Sequence, residues 1–184
     1  MMFALYAVAF FCWVSVSLSA PLSCEDLNRP LDTQDLSFLN GRWALVLASL
    51  SNPAHLGKLK ERDSASISFA SHSDSSKLSF TRDFSFNDSC LHVNTNVTVD
   101  GSGFIFHEFN YTVKILHTSC SDCAVMRFDR PGKPERVYLF SRRREVGPKE
   151  LEEFSAQAEC LGMTAPFVMD PTKKLCPAAP TAEG

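Results

Sequence analysis

The chain has 184 residues, of which 45% are apolar and 21% charged, with 15 Phe. That length and apolar content describe one domain with material for a core, which excludes a disordered tail. The net charge of −3 offers no basic excess to hold a polyanion, so nucleic acid is excluded as a partner. Seven Cys is an odd number, and disulfide frameworks need pairs.

Residues 1–20, MMFALYAVAFFCWVSVSLSA, contain no Lys, Arg, Asp or Glu and close on the small side chains Ser17, Ser19 and Ala20. The run reads as a secretory signal peptide. A stable membrane anchor would be longer and carry a basic flank. Cleavage is expected after Ser19 or Ala20, with Ser19 favoured because Pro21 is a poor first residue. Processing removes Cys12 and leaves Cys24, Cys90, Cys120, Cys123, Cys160 and Cys176. An even number in an exported chain implies disulfides. Export also gives meaning to three N-glycosylation sequons, at Asn87, Asn96 and Asn110. The expected product is a secreted, extracellular glycoprotein with one domain over 21–176 and a flexible tail over 177–184.

From Trp43 to Arg142 the apolar pattern has mostly period two, the strand signature. Trp43–Leu50 is a nearly continuous apolar strand. Ala65, Ile67 and Phe69 alternate with Ser. Leu78, Phe80, Phe84 and Phe86 share one parity, interrupted by Arg82. Leu91, Val93, Val97 and Val99 repeat the pattern, and Asp100-Gly101-Ser102-Gly103 is a turn. Phe104–Phe109 follows, then Tyr111, Val113 and Ile115 on one face. Ala124–Phe128 and Val137–Phe140 complete eight strands. One helix comes last. Pro148 opens it, Leu151, Phe154, Ala158 and Leu161 form one apolar stripe, and Gly162 ends it. Such a chain is all-β, an antiparallel sandwich or barrel. An eight-stranded up-and-down barrel leaves no sheet edge and has room inside for side chains or one small ligand.

Gly41-Arg42-Trp43 at the start of the first strand resembles the Gly-x-Trp signature of the lipocalin superfamily, placed as in that family before eight strands and one helix. The resemblance implies an eight-stranded antiparallel calyx with the helix packed outside. It also implies that Trp43 closes one end of the barrel beneath Arg142 of Leu139-Phe140-Ser141-Arg142, a cation–π contact. The middle Thr-Asp-Tyr motif of the family is absent. The Cys positions resemble the arrangement in α1-acid glycoprotein and apolipoprotein M. That likeness pairs Cys24 with Cys160 and Cys90 with Cys176, a choice among 15 connectivities that spacing alone does not make. Four segments are similar to fish plasma lipocalins, the tributyltin-binding and the saxitoxin- and tetrodotoxin-binding proteins. They are Gly41–Val46, Thr118–Cys123, Ser141–Glu145 and Val168–Pro177.

Cys120-Ser121-Asp122-Cys123 has redox spacing, but it lies between strands, without the helix N-terminus that stabilises a reactive thiolate. A small structural disulfide, or two thiols with partners elsewhere, is the simpler account. The five His are scattered and make no metal spacing, and no hydrolase or phosphate-loop motif is present, so neither metal nor cofactor is expected. His107 and Glu108, adjacent in a strand, would face opposite ways. Arg142-Arg143-Arg144 offers anionic surfaces such as heparin a local charge run, though one Arg capping Trp43 and two in solvent explain it as well.

The inward aromatic positions either fill a core or line a small-ligand cavity. Phe69, Phe80, Phe106, Val113 and Met126 are the expected calyx residues. Arg82 points inward as an anchor for an anionic or oxygen-rich ligand, or sits at the rim. The expected activity is binding, with transport or sequestration, of a small hydrophobic or amphipathic ligand such as a lipid, xenobiotic or toxin, by a monomer that is not an enzyme. An apolipoprotein M-like lipid carrier with lipoprotein or receptor association is the alternative within the class. A thiol-dependent lipocalin enzyme using Cys120 or Cys123 is the alternative outside it.

Overall fold

A computed structural model describes residues 22–71, 76–87 and 89–178. The expected signal peptide over 1–20, with Cys12, and the expected tail from residue 179 onward lie outside the described residues.

The first strand, β1 (Gly41–Leu50), is apolar along its length because both of its faces are covered. A register shift between Leu45 and Leu47 resets its parity. Trp43, Leu45 and Ala48 therefore join the core inside the barrel, while Val46 and Leu47 join a second core outside it. The barrel continues with β2 (Ser64–Ser71), β3 (Lys77–Phe86), β4 (Ser89–Asp100), β5 (Gly103–Phe106), β6 (Tyr111–Leu116), β7 (Cys123–Arg130) and β8 (Lys133–Ser141). Each strand pairs antiparallel with the next, and β1 pairs with both β2 and β8 to close the ring. The pairing of β1 with β2 spans only Gly41–Ala44. A short added strand, β9 (Phe167–Val168), takes part of the edge left free by pairing with Leu47 and Ala48.

Five short helical pieces among the described residues were not legible in the apolar pattern. They are α1 (Cys24–Leu27), α2 (Leu56–Lys60) in the loop from β1 to β2, and 3₁₀ turns at Ser37–Leu39, Pro53–His55 and His107–Phe109. The last turn corrects the expected strand over Phe104–Phe109, because β5 stops at Phe106. His107 and Glu108 are therefore not on opposite faces of a strand, and the His107 ring lies 3.1 Å from Thr98 Oγ1. Leu91 keeps the inward parity of its strand yet is 51% exposed. β4 meets β5 only from Thr98 onward, so its first half pairs with β3 alone and overhangs the barrel.

The late helix, α3 (Pro148–Cys160), packs Phe154 and Ala158 against Val46, Leu47, Val125, Val137 and Leu139 on the barrel's outer surface. Gln157, a polar residue in this buried stripe, is only 1% exposed. Its side-chain amide donates to the carbonyls of Leu27 and His117, both at 2.8 Å, which pins the helix to the end of α1 and to the loop after β6. Disulfides join Cys24 to Cys160, Cys90 to Cys176 and Cys120 to Cys123. The first fixes α1 to the end of α3, and the second holds the C-terminal segment against the start of β4. Beneath that segment the buried Asp83 carboxylate meets His92 at 2.8 Å and Arg42 at 3.5 Å. Arg42 also donates to Ser66 and to the Cys176 carbonyl.

Candidate ligand-binding site

One end of the barrel is sealed by the residues of the Gly-x-Trp motif. Trp43 is 3% exposed, and its indole N–H donates to the Leu39 carbonyl at 2.8 Å. The Arg142 guanidinium lies over the Trp43 ring, 3.8 Å from its centroid, and donates to the carbonyls of Phe38, Asn40 and Arg42. The motif needs glycine at its first position for two reasons. Gly41 has φ +89°, and a Cβ there would come within 3.0 Å of Arg142 Nη1.

Above this seal the inward side chains form a continuous aromatic stack. Phe69 lies 4.8 Å from Phe80 and 5.5 Å from Phe104 between ring centroids, and Phe106 lies 5.1 Å from Phe80. Phe104 is fully buried. β5 approaches β6 so closely there that a Cβ on Gly103 would fall 1.9 Å from the Val113 carbonyl oxygen. The core stops at this layer. Beyond it a cavity of about 330 Å³ opens towards the far end of the barrel. Its apolar wall includes Phe80, Phe84, Phe106, Phe128, Tyr138 and Phe140.

The sequence-expected calyx residues divide at that layer. Phe80, Arg82 and Phe106 line the cavity. Phe69, Val113 and Met126 do not: they lie in the packed interior, at 3%, 0% and 0% exposure. Strand parity gives the face a side chain points to, but not its height along the barrel, and these three face inward too near the closed end.

Four arginines line the cavity, Arg62, Arg82, Arg130 and Arg136. Only Arg82 was singled out from sequence. Arg136 was findable, because it shares its parity on β8 with Tyr138 and Phe140. Arg62 precedes β2 and Arg130 ends β7, where no periodicity signals direction. Arg82 lies 5.8, 5.7 and 5.4 Å from the ring centroids of Phe80, Phe106 and Phe109. Arg62 lies 4.2 Å over Phe84, and Arg130 and Arg136 each lie 4.8 Å from the centre of Tyr111. These are cation–π distances.

Electrostatics separates the four. Burial lowers the pKa of Arg62 and of Arg82; Tyr138 and Glu61 oppose this at Arg62 and Glu108 opposes it at Arg82, while the neighbouring guanidinium groups, Arg136 on Arg62 and Arg62 and Arg136 on Arg82, add to it. Arg136 behaves differently. Burial disfavours its charge, but Tyr138, Tyr111 and Glu135 outweigh that and raise its pKa. The Tyr111 hydroxyl donates to Glu135, accepts from Arg136, and holds the Glu135 carboxyl below its usual range. A second cavity of about 200 Å³ lies under α2. It shares Arg62, Arg136 and Tyr138 with the first and adds His55, Lys58 and Glu135.

The sequons occupy exposed positions at Asn87, Asn96 and Asn110. Asn110, at φ +52°, stands between Phe109 and Tyr111, both of which line the cavity. Cys120 and Cys123 are bonded to each other beneath α3, outside the barrel, so they present no thiolate nucleophile to the calyx. Arg143 pairs with Asp122 at 2.6 Å and with Glu150 at 3.4 Å, and Arg144 donates to the carbonyls of Lys173 and Asp170. The Arg142–Arg144 run is thus engaged internally rather than held out as a free basic patch. Among the described residues, no helix is long and apolar enough to cross a membrane.

No protein-family profile matches this chain, and no curated protein matches it. Solved structures do. The siderocalin Ex-FABP, described as working through dual ligand specificities, is 19% identical, with a TM-score of 0.60 over 71% of this chain and 93% of its own. The siderocalin Q83, described as having a dual ligand binding mode, is 20% identical, with a TM-score of 0.64 over 78% of this chain and 95% of its own. The likeness establishes the fold, a closed eight-stranded antiparallel lipocalin barrel with a helix packed outside.

Proposed function

We propose that this lipocalin-fold chain is a secreted, N-glycosylated carrier that binds a small hydrophobic or amphipathic ligand in its calyx and transports or sequesters it. The observation that carries this reading is the cavity itself. It is about 330 Å³, walled by aromatic rings and closed below by a fully packed layer. A pocket of that size and lining is the usual small-ligand site. Binding is driven by removing apolar ligand surface from water, worth about 25 cal/mol per Å² before the costs of association. Export is supported by the apolar leader and by three disulfides, which persist in oxidising compartments. The resemblance to fish plasma tributyltin- and toxin-binding lipocalins supports a xenobiotic or toxin as one ligand class to test, beside lipids.

The test is native mass spectrometry of the protein secreted from a eukaryotic host, with titration of the neutral fluorophore N-phenyl-1-naphthylamine. Saturable fluorescence enhancement and a glycosylated chain beginning near residue 20 are expected. A chain that gives no enhancement has no accessible calyx, and one that starts at Met1 has kept its leader.

A further inference from the structure

We propose that the calyx selects an amphipathic anion, with its apolar tail among the rings and an oxyanion head held by Arg62, Arg82 and Arg136. This rests on the calyx reading above and narrows it to one charge class.

The argument begins with what the cavity wall lacks. Among the described residues, the wall carries four arginines and no carboxylate. Glu135 stands close behind and is already engaged, by the Tyr111 hydroxyl, by Arg136 at 3.4 Å and by Arg130 at 3.8 Å. Arg62 and Arg82 have no such partner in contact. The Nε of each is buried and makes no hydrogen bond. Arg82 has one side-chain partner, the neutral Thr95 hydroxyl at 3.2 Å. A half-buried guanidinium whose Nε–H is buried and unsatisfied is costly, and neighbouring like charges raise the cost further. Burial is the main cost to both charges, and although Tyr138 and Glu61 favour Arg62 and Glu108 favours Arg82 from a distance, the pKa of each remains lowered. Aromatic faces offset part of that cost but leave the in-plane N–H donors open. An oxyanion head supplies acceptors in that plane, and arginine's planar fork matches carboxylate or phosphate. The smaller cavity, which shares Arg62 and Arg136, adds Lys58 and His55 together with Glu135, the carboxylate that Tyr111 and Arg136 already engage. A cationic ligand, including a guanidinium toxin or an organotin cation, would add to the repulsion already present.

The test uses the secreted full-length protein and displacement of N-phenyl-1-naphthylamine by ligands of equal tail length: dodecanoate, dodecyl phosphate, dodecanol and dodecyltrimethylammonium. At least one anion should bind about tenfold more tightly than the alcohol, the effect of one charge-assisted hydrogen bond. The ammonium compound should bind most weakly. In R62Q and R82Q the ratio of anion affinity to dodecanol affinity should fall towards one. The wild-type series decides the matter even if a variant fails to fold. Equal affinity for dodecanol and both anions, or tightest binding of the ammonium compound, overturns the charge selection and leaves the calyx reading intact. No binding of dye or of any of the four overturns both.

Discussion

Phe69 sits one layer below the cavity, 4.8 Å from the lining ring of Phe80, and its removal tests where the floor of the calyx lies. In F69A the buried ring leaves a void. Phe-to-Ala changes in cores cost about 3–5 kcal/mol. Domains are stable by about 5–15 kcal/mol, so the variant should stay folded with a lowered urea midpoint. The void is contiguous with the calyx, so it should also accept ligand. Extending an alkyl ligand by about two methylenes should gain about 1.6 kcal/mol in F69A, at about 0.8 kcal/mol per methylene, or roughly fifteenfold in affinity. The same extension should gain nothing in the wild type, where it meets the Phe69 ring. The assay is dye displacement by a homologous series of alkyl acids, alongside urea unfolding with and without the longest acid. A variant that loses stability while keeping the wild-type chain-length optimum would refute the reasoning, because Phe69 would then be walled off from the cavity.

Other expectations follow from contacts away from the floor. R142A removes the cation–π contact with Trp43 and the donors to three carbonyls at a largely exposed site. A loss of about 1–2 kcal/mol is expected, about 2–8 °C in Tm by thermal scan, with dye affinity unchanged. Replacing both Cys24 and Cys160 by Ser opens a link across 136 residues and should cost about 2–5 kcal/mol, read from the denaturant midpoint. Hydrogen bonding from Tyr111 depresses the folded-state pKa of Glu135. Its contribution to stability is therefore present above the usual glutamate range and lost as pH falls through the depressed value. E135Q should flatten that acid limb in urea midpoints measured across pH, and an unchanged limb would show that other carboxylates set it.

The barrel was legible in the sequence because its strands obey period two and turn residues separate them. Phe80 and Phe106 are readable as inward for the same reason. What escaped depends on relations that a one-dimensional pattern does not carry. Phe69, Val113 and Met126 share the inward parity but lie too deep, because depth is set by stagger between strands. Leu91 obeys parity on a stretch of β4 that has outrun its neighbour β5. Gln157 reads as a break in the α3 stripe, whereas it is a buried donor to the carbonyls of Leu27 and His117. Arg62 and Arg130 stand at strand ends, where direction is decided by the loops.

The seam between β1 and β8 has a consequence for how the chain folds. β1 is made first and its closing partner last, so most of the domain must be synthesised before the barrel can close. Hairpins such as β3–β4 and β7–β8 form from neighbouring segments, but the seam and the Cys24–Cys160 bond depend on distant ones. Contacts of high sequence separation slow folding. In the meantime β1 carries an apolar surface on both faces, the kind of segment that needs shielding on a nascent chain. Closure and α3 docking cover its two faces from opposite sides, which makes the strand that begins the fold among the last to be protected.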